Sequence, residues 1–113
     1  MDKLSFHRKA VKKVLGKHKE IVNRTAKSEI ENLFVFDEAT DNYTWIRFGW
    51  TQNGRLESIS AFVRLLNDKI YIEEDLTEKG IANDLIADGV SPKDIVLAFQ
   101  QPEVRQFTEF ALS

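Results

Sequence analysis

The sequence predicts an α+β domain: an N-terminal helix packed on an antiparallel sheet of about four strands, followed by a capped helix and a short C-terminal helix or docked tail. Three observations predict it. Apolar residues recur at helical spacing from Leu4 to Val22. Aromatic and β-branched residues alternate across residues 30–74 around two hairpin signals. Asp75-Leu76-Thr77-Glu78 has the spacing of a capping box ahead of a second apolar helix face.

In the first helix Leu4, Val11, His18 and Thr25 recur every seven residues, and His7, Val14, Leu15, Ile21 and Val22 fill the same stripe. At about 100° per residue, Lys9, Lys13, Lys17, Arg24 and Lys27 fall on the opposite face. Gly16 costs about 1 kcal/mol relative to alanine, too little to override the period. Ile30–Phe36 reads as a first strand, Asp37–Asn42 as a turn, and Tyr43–Trp50 as a second strand with Thr44, Ile46, Phe48 and Trp50 on one side. Asn53-Gly54 is the strongest hairpin signal, since both residues tolerate the positive φ of a type I′ turn. Arg55–Leu66 makes a long third strand and Lys69–Glu74 a fourth, joined by Asn67-Asp68, a weaker signal because it lacks glycine. Ile81, Ala82, Leu85 and Ile86 form one face of the next helix, which Gly89 can close in a left-handed cap. Pro92 opens a short turn, Ile95–Phe99 reads as either a buried strand or continuing helix, and Glu103–Leu112 as a short helix with a docked tail.

At 113 residues the chain has room for one domain, spanning residues 1–113, which buries roughly two thirds of its unfolded surface. A 42% hydrophobic, 30% charged composition separates it from disordered chains. No apolar run approaches the ~20 residues that span a bilayer. The first eight residues lack the apolar stretch of a secretory signal, and there is no cysteine for disulfides, thiolate nucleophiles or cysteine-type zinc sites. Both suit a reducing cytoplasm.

The net charge of −2 conceals a division: residues 1–27 hold nine Lys/Arg against two acids, residues 28–113 seven against sixteen. Such a division points to an interaction surface. An oligomer that sets one subunit's helix near another's acidic part would satisfy it, and so would a companion protein. Free duplex DNA would meet repulsion from the acidic remainder, so contact with DNA is expected to be mostly indirect.

Few residues invite catalysis. His7 and His18 lie roughly 16 Å apart along a helix, too far to share a metal, and both sit on the apolar stripe. Gly49-Trp50-Thr51-Gln52-Asn53-Gly54-Arg55-Leu56 imitates a phosphate loop but has Arg55 for its lysine, Leu56 for its hydroxyl and a strand where a helix belongs. Glu73 and Asp75 would point the same way from a regular strand, about 6.6 Å apart, but Asp75 and Glu78 are better spent on a helix cap. No acid stands two residues before a lysine, as a nuclease of the P-D-(D/E)-x-K type requires. The expectation is a chain without catalytic residue, metal site or cofactor.

Phe36-Asp37, Asp41-x-Tyr43, Gly49-Trp50, Arg55, Arg64 and Lys69-Ile70-Tyr71-Ile72-Glu73 lead into Asp75-x-Thr77-Glu78-x-Gly80-Ile81-Ala82-x-x-Leu85. Gly89-Val90, Asp94-Ile95-Val96-Leu97-Ala98-Phe99, Pro102, Arg105 and Thr108-Glu109-Phe110-Ala111 follow. In this order and spacing, over about two thirds of the chain, the set resembles the XisI family, the fdxN element excision controlling factors of cyanobacteria. Departures are Tyr71, where tryptophan is common, and Gln100-Gln101, where histidine often precedes the proline.

The resemblance implies a non-catalytic accessory role. In that family's setting a site-specific recombinase excises a DNA element during heterocyst differentiation. A protein of this type controls it together with a nuclease-like companion, XisH. A second reading keeps the companion and drops the excision: an antitoxin-like chain that restrains a nuclease-like partner. Asp75, Thr77, Glu78, Gly80 and Gly89 have sufficient structural reasons to be what they are. Arg55, Arg64, Arg105 and Thr108 have none evident in the sequence, and they form the candidate partner surface. Lys9, Lys13, Lys17, Arg24 and Lys27 form a candidate basic helix face.

Overall fold

The computed structural model describes residues 2–25 and 29–113, residue 25 as backbone. Lys27 therefore lies outside the described residues. Along the chain run α1 (Lys3–Thr25), β1 (Ile30–Asp37), β2 (Asn42–Thr51), β3 (Gly54–Leu66), β4 (Lys69–Asp75), α2 (Ile81–Ala87), a 3-10 turn (Pro92–Asp94), β5 (Ile95–Leu97) and α3 (Pro102–Arg105). The sheet has the order β1-β2-β3-β4-β5, and its first four strands are antiparallel. β5, from the segment the sequence left between strand and helix, lies parallel to β4. Such a pairing needs a crossover, which α2 and the 3-10 turn supply. The tail docks beside it, Ala111 N–H donating to the Ile95 carbonyl at 2.8 Å.

Both hairpins form, with their turn chemistry exchanged. At Asn53-Gly54 the reversal centres on Gln52-Asn53, with Thr51 opposite Gly54, and only Gly54 of the expected pair has positive φ (116°). The type I′ geometry expected there is found at Asn67 (φ 54°) and Asp68 (φ 60°) instead. Short polar side chains make the left-handed region accessible to them without glycine.

The capping box is also revised. α2 begins at Ile81 with Gly80 as its N-cap, so Glu78 falls outside the first turn and makes no hydrogen bond or ion pair among the described residues. Asp75 still serves the helix, from six residues away: its carboxylate accepts from Ile81 N–H at 2.7 Å and from Thr77 N–H at 2.9 Å. At the other end Gly89 (φ 100°) donates to the Ile86 carbonyl and Val90 to that of Leu85, a Schellman closure.

The core lies between α1 and one face of the sheet. Ala10, Val11, Val14 and Leu15 pack over Tyr43, Ala61, Val63, Ile70 and Ile72, and α2 adds Ile81 and Leu85, all nearly inaccessible. Each large apolar side chain so buried contributes about 1.5–3 kcal/mol.

Two register shifts decide what the opposite face carries. The β2–β3 pairing passes over Ser60, so Trp45 and Ala61 face α1 whereas Ile46 and Ile59 face away. The β3–β4 pairing passes over Glu73. Thr44, Ile46, Phe48 and Trp50 therefore share one face, as their alternation predicts, and it is the face turned from the helix. None of the described helices is long and apolar enough to cross a membrane.

Candidate partner interface

The basic residues of α1 are largely answered from within the chain. Arg8 holds Asp41 bidentately, Lys3 reaches Asp94 at 3.1 Å, Lys12 reaches Glu38 at 3.2 Å, and Lys13 reaches Asp88 at 2.7 Å. Arg24 stands 3.9 Å from Glu20 one turn back. The division between a basic start and an acidic remainder is thus partly resolved inside one molecule: the helix lies across the acids of the β1–β2 turn, the α2 end and the 3-10 turn. Lys9, Lys17 and Lys19 are exposed and make no ion pair among the described residues. Lys13 belongs with the internal pairs, not with a free basic face.

Asp41 ties this layer together. It sits at φ 53°, accepts from Arg8 and from the Tyr43 hydroxyl (3.0 Å), and its carbonyl accepts from Leu65 N–H at 3.1 Å. The Arg8 hydrogen bonds hold its carboxyl below the usual carboxylate range, and burial, reinforced by Asp41, pushes the Tyr43 hydroxyl up to about 12.

Of the four residues without an evident structural reason, two acquire one. Arg105 donates to the backbone carbonyls of Gln100, Ala98 and Leu112, clamping the tail against the segment after β5. Thr108 accepts from Phe110 N–H and donates to the Arg105 carbonyl. Their reason was illegible because it consists of bonds to backbone, which no side-chain pattern announces. Arg55 and Arg64 lie on the outer face of β3, at opposite ends. Arg55 stacks over the Trp50 and Phe48 rings with Glu57 beside it, and Arg64 pairs with Glu73 at 3.1 Å. The four therefore do not converge on one site.

The groups that invited chemistry are occupied structurally. His7 is buried with neither ring nitrogen hydrogen-bonded, its Nε2 being 3.6 Å from Asp94. Burial lowers its pKa against the pull of Asp94. His18 stacks on Trp45, ring centroids 5.4 Å apart, and lines a groove of about 360 Å³ between α1 and α2 with Lys17, Lys79 and Asp84. There Lys79 already neutralises Asp84 at 3.0 Å. Glu73 and Asp75, expected on one side of β4, are parted by the register shift: Glu73 turns out to Arg64, Asp75 in to the N–H groups of α2. Among the described residues no three His, Asp or Glu side chains are grouped to hold a metal ion.

The family described as XisI protein matches residues 1–112. The chain belongs to the XisI family. It is similar to the crystal structure of the fdxN element excision controlling factor XisI from Anabaena variabilis, at 31% identity and a TM-score of 0.87, covering 99% of this chain and 100% of that one. A XisI-like protein from the same organism matches at 25% identity and a TM-score of 0.88 with the same coverage. No curated protein matches. The helix-on-sheet arrangement, with its fifth strand, is thus the fold of the XisI family.

Proposed function

We propose that this chain is a non-catalytic accessory protein that binds a XisH-like companion and, through it, controls the excision of a DNA element by a site-specific recombinase. The observation that carries the proposal is the likeness, along 99% of the chain, to a structure described as an excision controlling factor. The commitment of Asp41, Asp75 and Glu73 to internal bonds supports a role without catalysis. It would work in the cytoplasm as one domain, without cofactor, its contact with DNA mostly through the companion. Lys9 and Lys17, which have no internal acid among the described residues, are the side chains offered to that companion.

The test is capture of the tagged protein from its host, with identification of what accompanies it and an excision assay in a strain lacking the gene. A XisH-like protein among the captured partners, with excision altered in the strain, is expected. A companion nuclease held inactive by this chain, with excision unchanged, would establish the antitoxin-like reading instead. Hydrolysis of DNA by the chain alone would overturn both.

A further inference from the structure

We infer that the outer face of the sheet is a self-docking surface, on which a second copy of this chain packs sheet to sheet. An antiparallel sheet with one solvated face ordinarily alternates apolar inward with polar outward. Here the outward positions depart from that rule in the middle of the face. The cross-strand rows Leu33–Ile46–Ile59 and Val35–Thr44–Phe62 run side by side across β1, β2 and β3. Phe48 and Trp50 extend the apolar surface toward the β2–β3 turn. Leu33, Val35 and Ile59 are each more than 40% exposed and Trp50 is 65% exposed.

Two matched ion pairs stand at the ends of this patch, and Glu31, opposite Phe48, and Glu74, opposite Phe62, face outward at its β1 and β4 margins without an ion pair among the described residues. Arg55 with Glu57 stands at the end near the β2–β3 turn, and Arg64 with Glu73 at the end near the β3–β4 turn. An apolar centre between polar margins is the anatomy of an interface core and its rim. With Arg55, Arg64 and Lys69 set against Glu31, Glu57, Glu73 and Glu74, the face is close to neutral and does not select a strongly charged partner. It selects one that is itself apolar and near neutral, and its own copy has that composition.

Size agrees. Four strands about 4.8 Å apart, with roughly 3.4 Å per residue over eight to ten residues, give a footprint on the order of 600 Å². Side-chain relief makes the accessible area larger than the footprint, close to the roughly 800 Å² per partner of a stable interface. Two twisted sheets stack about 10 Å apart with their strands about 30° from alignment. A two-fold axis normal to the face would set the same rows against each other, so one patch serves both copies. Trp50, with the Arg55 guanidinium 5.5 Å from its ring centroid, supplies the aromatic anchor at each end. The helical layer, with Lys9 and Lys17, stays outside and free for a different partner.

The experiment is the mass of the purified protein by light scattering, in wild type and in the Leu33→Lys, Ile59→Lys double variant, with circular dichroism to verify the fold. Wild type is expected at twice the 13.0 kDa chain mass and the folded double variant at one chain mass. If the double variant does not fold, Trp50→Lys, at the most exposed ring of the face, takes its place with the same expected result. A wild type of single-chain mass overturns the inference and leaves the face to another protein. A doubled mass that survives the substitutions also overturns it and places the contact elsewhere, such as the outer edge of β1.

Discussion

Arg8 in α1 clamps Asp41 in the β1–β2 turn through two hydrogen bonds, Nε to Oδ1 at 2.8 Å and Nη2 to Oδ2 at 3.1 Å. The pair joins the helical layer to the sheet at a residue whose backbone is itself left-handed. Bidentate guanidinium–carboxylate geometry fixes an angle as well as a distance, so it sets how α1 crosses the strands.

Asp41→Asn separates the charge from the turn, since asparagine tolerates the same positive φ. The variant is expected to melt several degrees below wild type at neutral pH. Because the folded pKa of Asp41 is depressed, its contribution is complete above the ordinary value of 3.8 and is lost as pH falls through the lower folded value. The gap between variant and wild type should therefore close in acid below about pH 4, which thermal melts across pH will read. Equal melting at pH 7 would show that the clamp does not stabilise the fold.

His7 predicts a second pH dependence, in a different window. Its neutral ring is buried, and its folded pKa lies below the ordinary 6.5. The unfolded chain takes up the proton first, so stability is complete above 6.5 and declines as pH falls toward the folded value. The groups around it are Asp94 and Asp68, which favour the proton, and Lys3, which opposes it. His7→Leu should flatten the melting temperature between pH 7 and pH 5. A slope identical to wild type would assign the dependence to other groups.

Asp75 links β4 to α2 by accepting from Ile81 N–H and Thr77 N–H. Asp75→Ala should cost about 0.5–2 kcal/mol, the usual loss for a helix cap. Glu78→Ala should cost nothing measurable, because Glu78 lies ahead of the first turn. Magnesium or manganese should leave the melting temperature of wild type unchanged. A metal-dependent rise that Asp75→Ala abolishes would reverse the assignment of this carboxylate.

What the sequence made legible follows from the range of each signal. The stripe of α1 and the alternation of β1 to β4 are periodic over many residues, and the structure follows them, except that the α1 stripe leaves the core at Ile21, which is exposed. At Asn67-Asp68 the signal is weak in sequence because glycine is absent, although Asn and Asp both tolerate the left-handed region they occupy. The parallel strand at Ile95–Leu97 is ambiguous in sequence because three residues carry no period, and only its place beside β4 gives it an identity. The partners of Arg8, Lys13 and Arg105 were invisible for a third reason: Asp41, Asp88 and the carbonyls of Ala98 and Leu112 become neighbours only after the chain folds.

Arg105 illustrates the consequence for reading interfaces. Its guanidinium donates to three backbone carbonyls around the docked tail. Hydrogen bonds from a charged donor contribute about 1.5–3 kcal/mol, and Arg105→Ala should cost that order of stability while making residues 106–113 sensitive to carboxypeptidase. Loss of companion binding in that variant, with the tail still protected, would instead place Arg105 on a partner surface.

The lysines of α1 divide by the same logic. Lys13 meets Asp88 at the end of α2, whereas Lys9 and Lys17 have no acid among the described residues. Lys9→Glu with Lys17→Glu should leave the fold and its melting temperature intact and weaken capture of the companion. Adding Lys13→Glu sets two carboxylates together where an ion pair stood, so the triple variant should melt lower than the double. Duplex DNA, repelled by the acidic remainder, should bind the isolated wild type weakly and lose affinity steeply with salt, since each neutralised phosphate releases counterion. The measurements are companion pull-down, thermal melts and DNA titration at two salt concentrations on wild type, double and triple variants. Tight, sequence-specific DNA binding by wild type alone would make the basic face a DNA reader. Unchanged companion capture in the double variant would reduce Lys9 and Lys17 to solvated surface and move the companion's contact to another part of the chain.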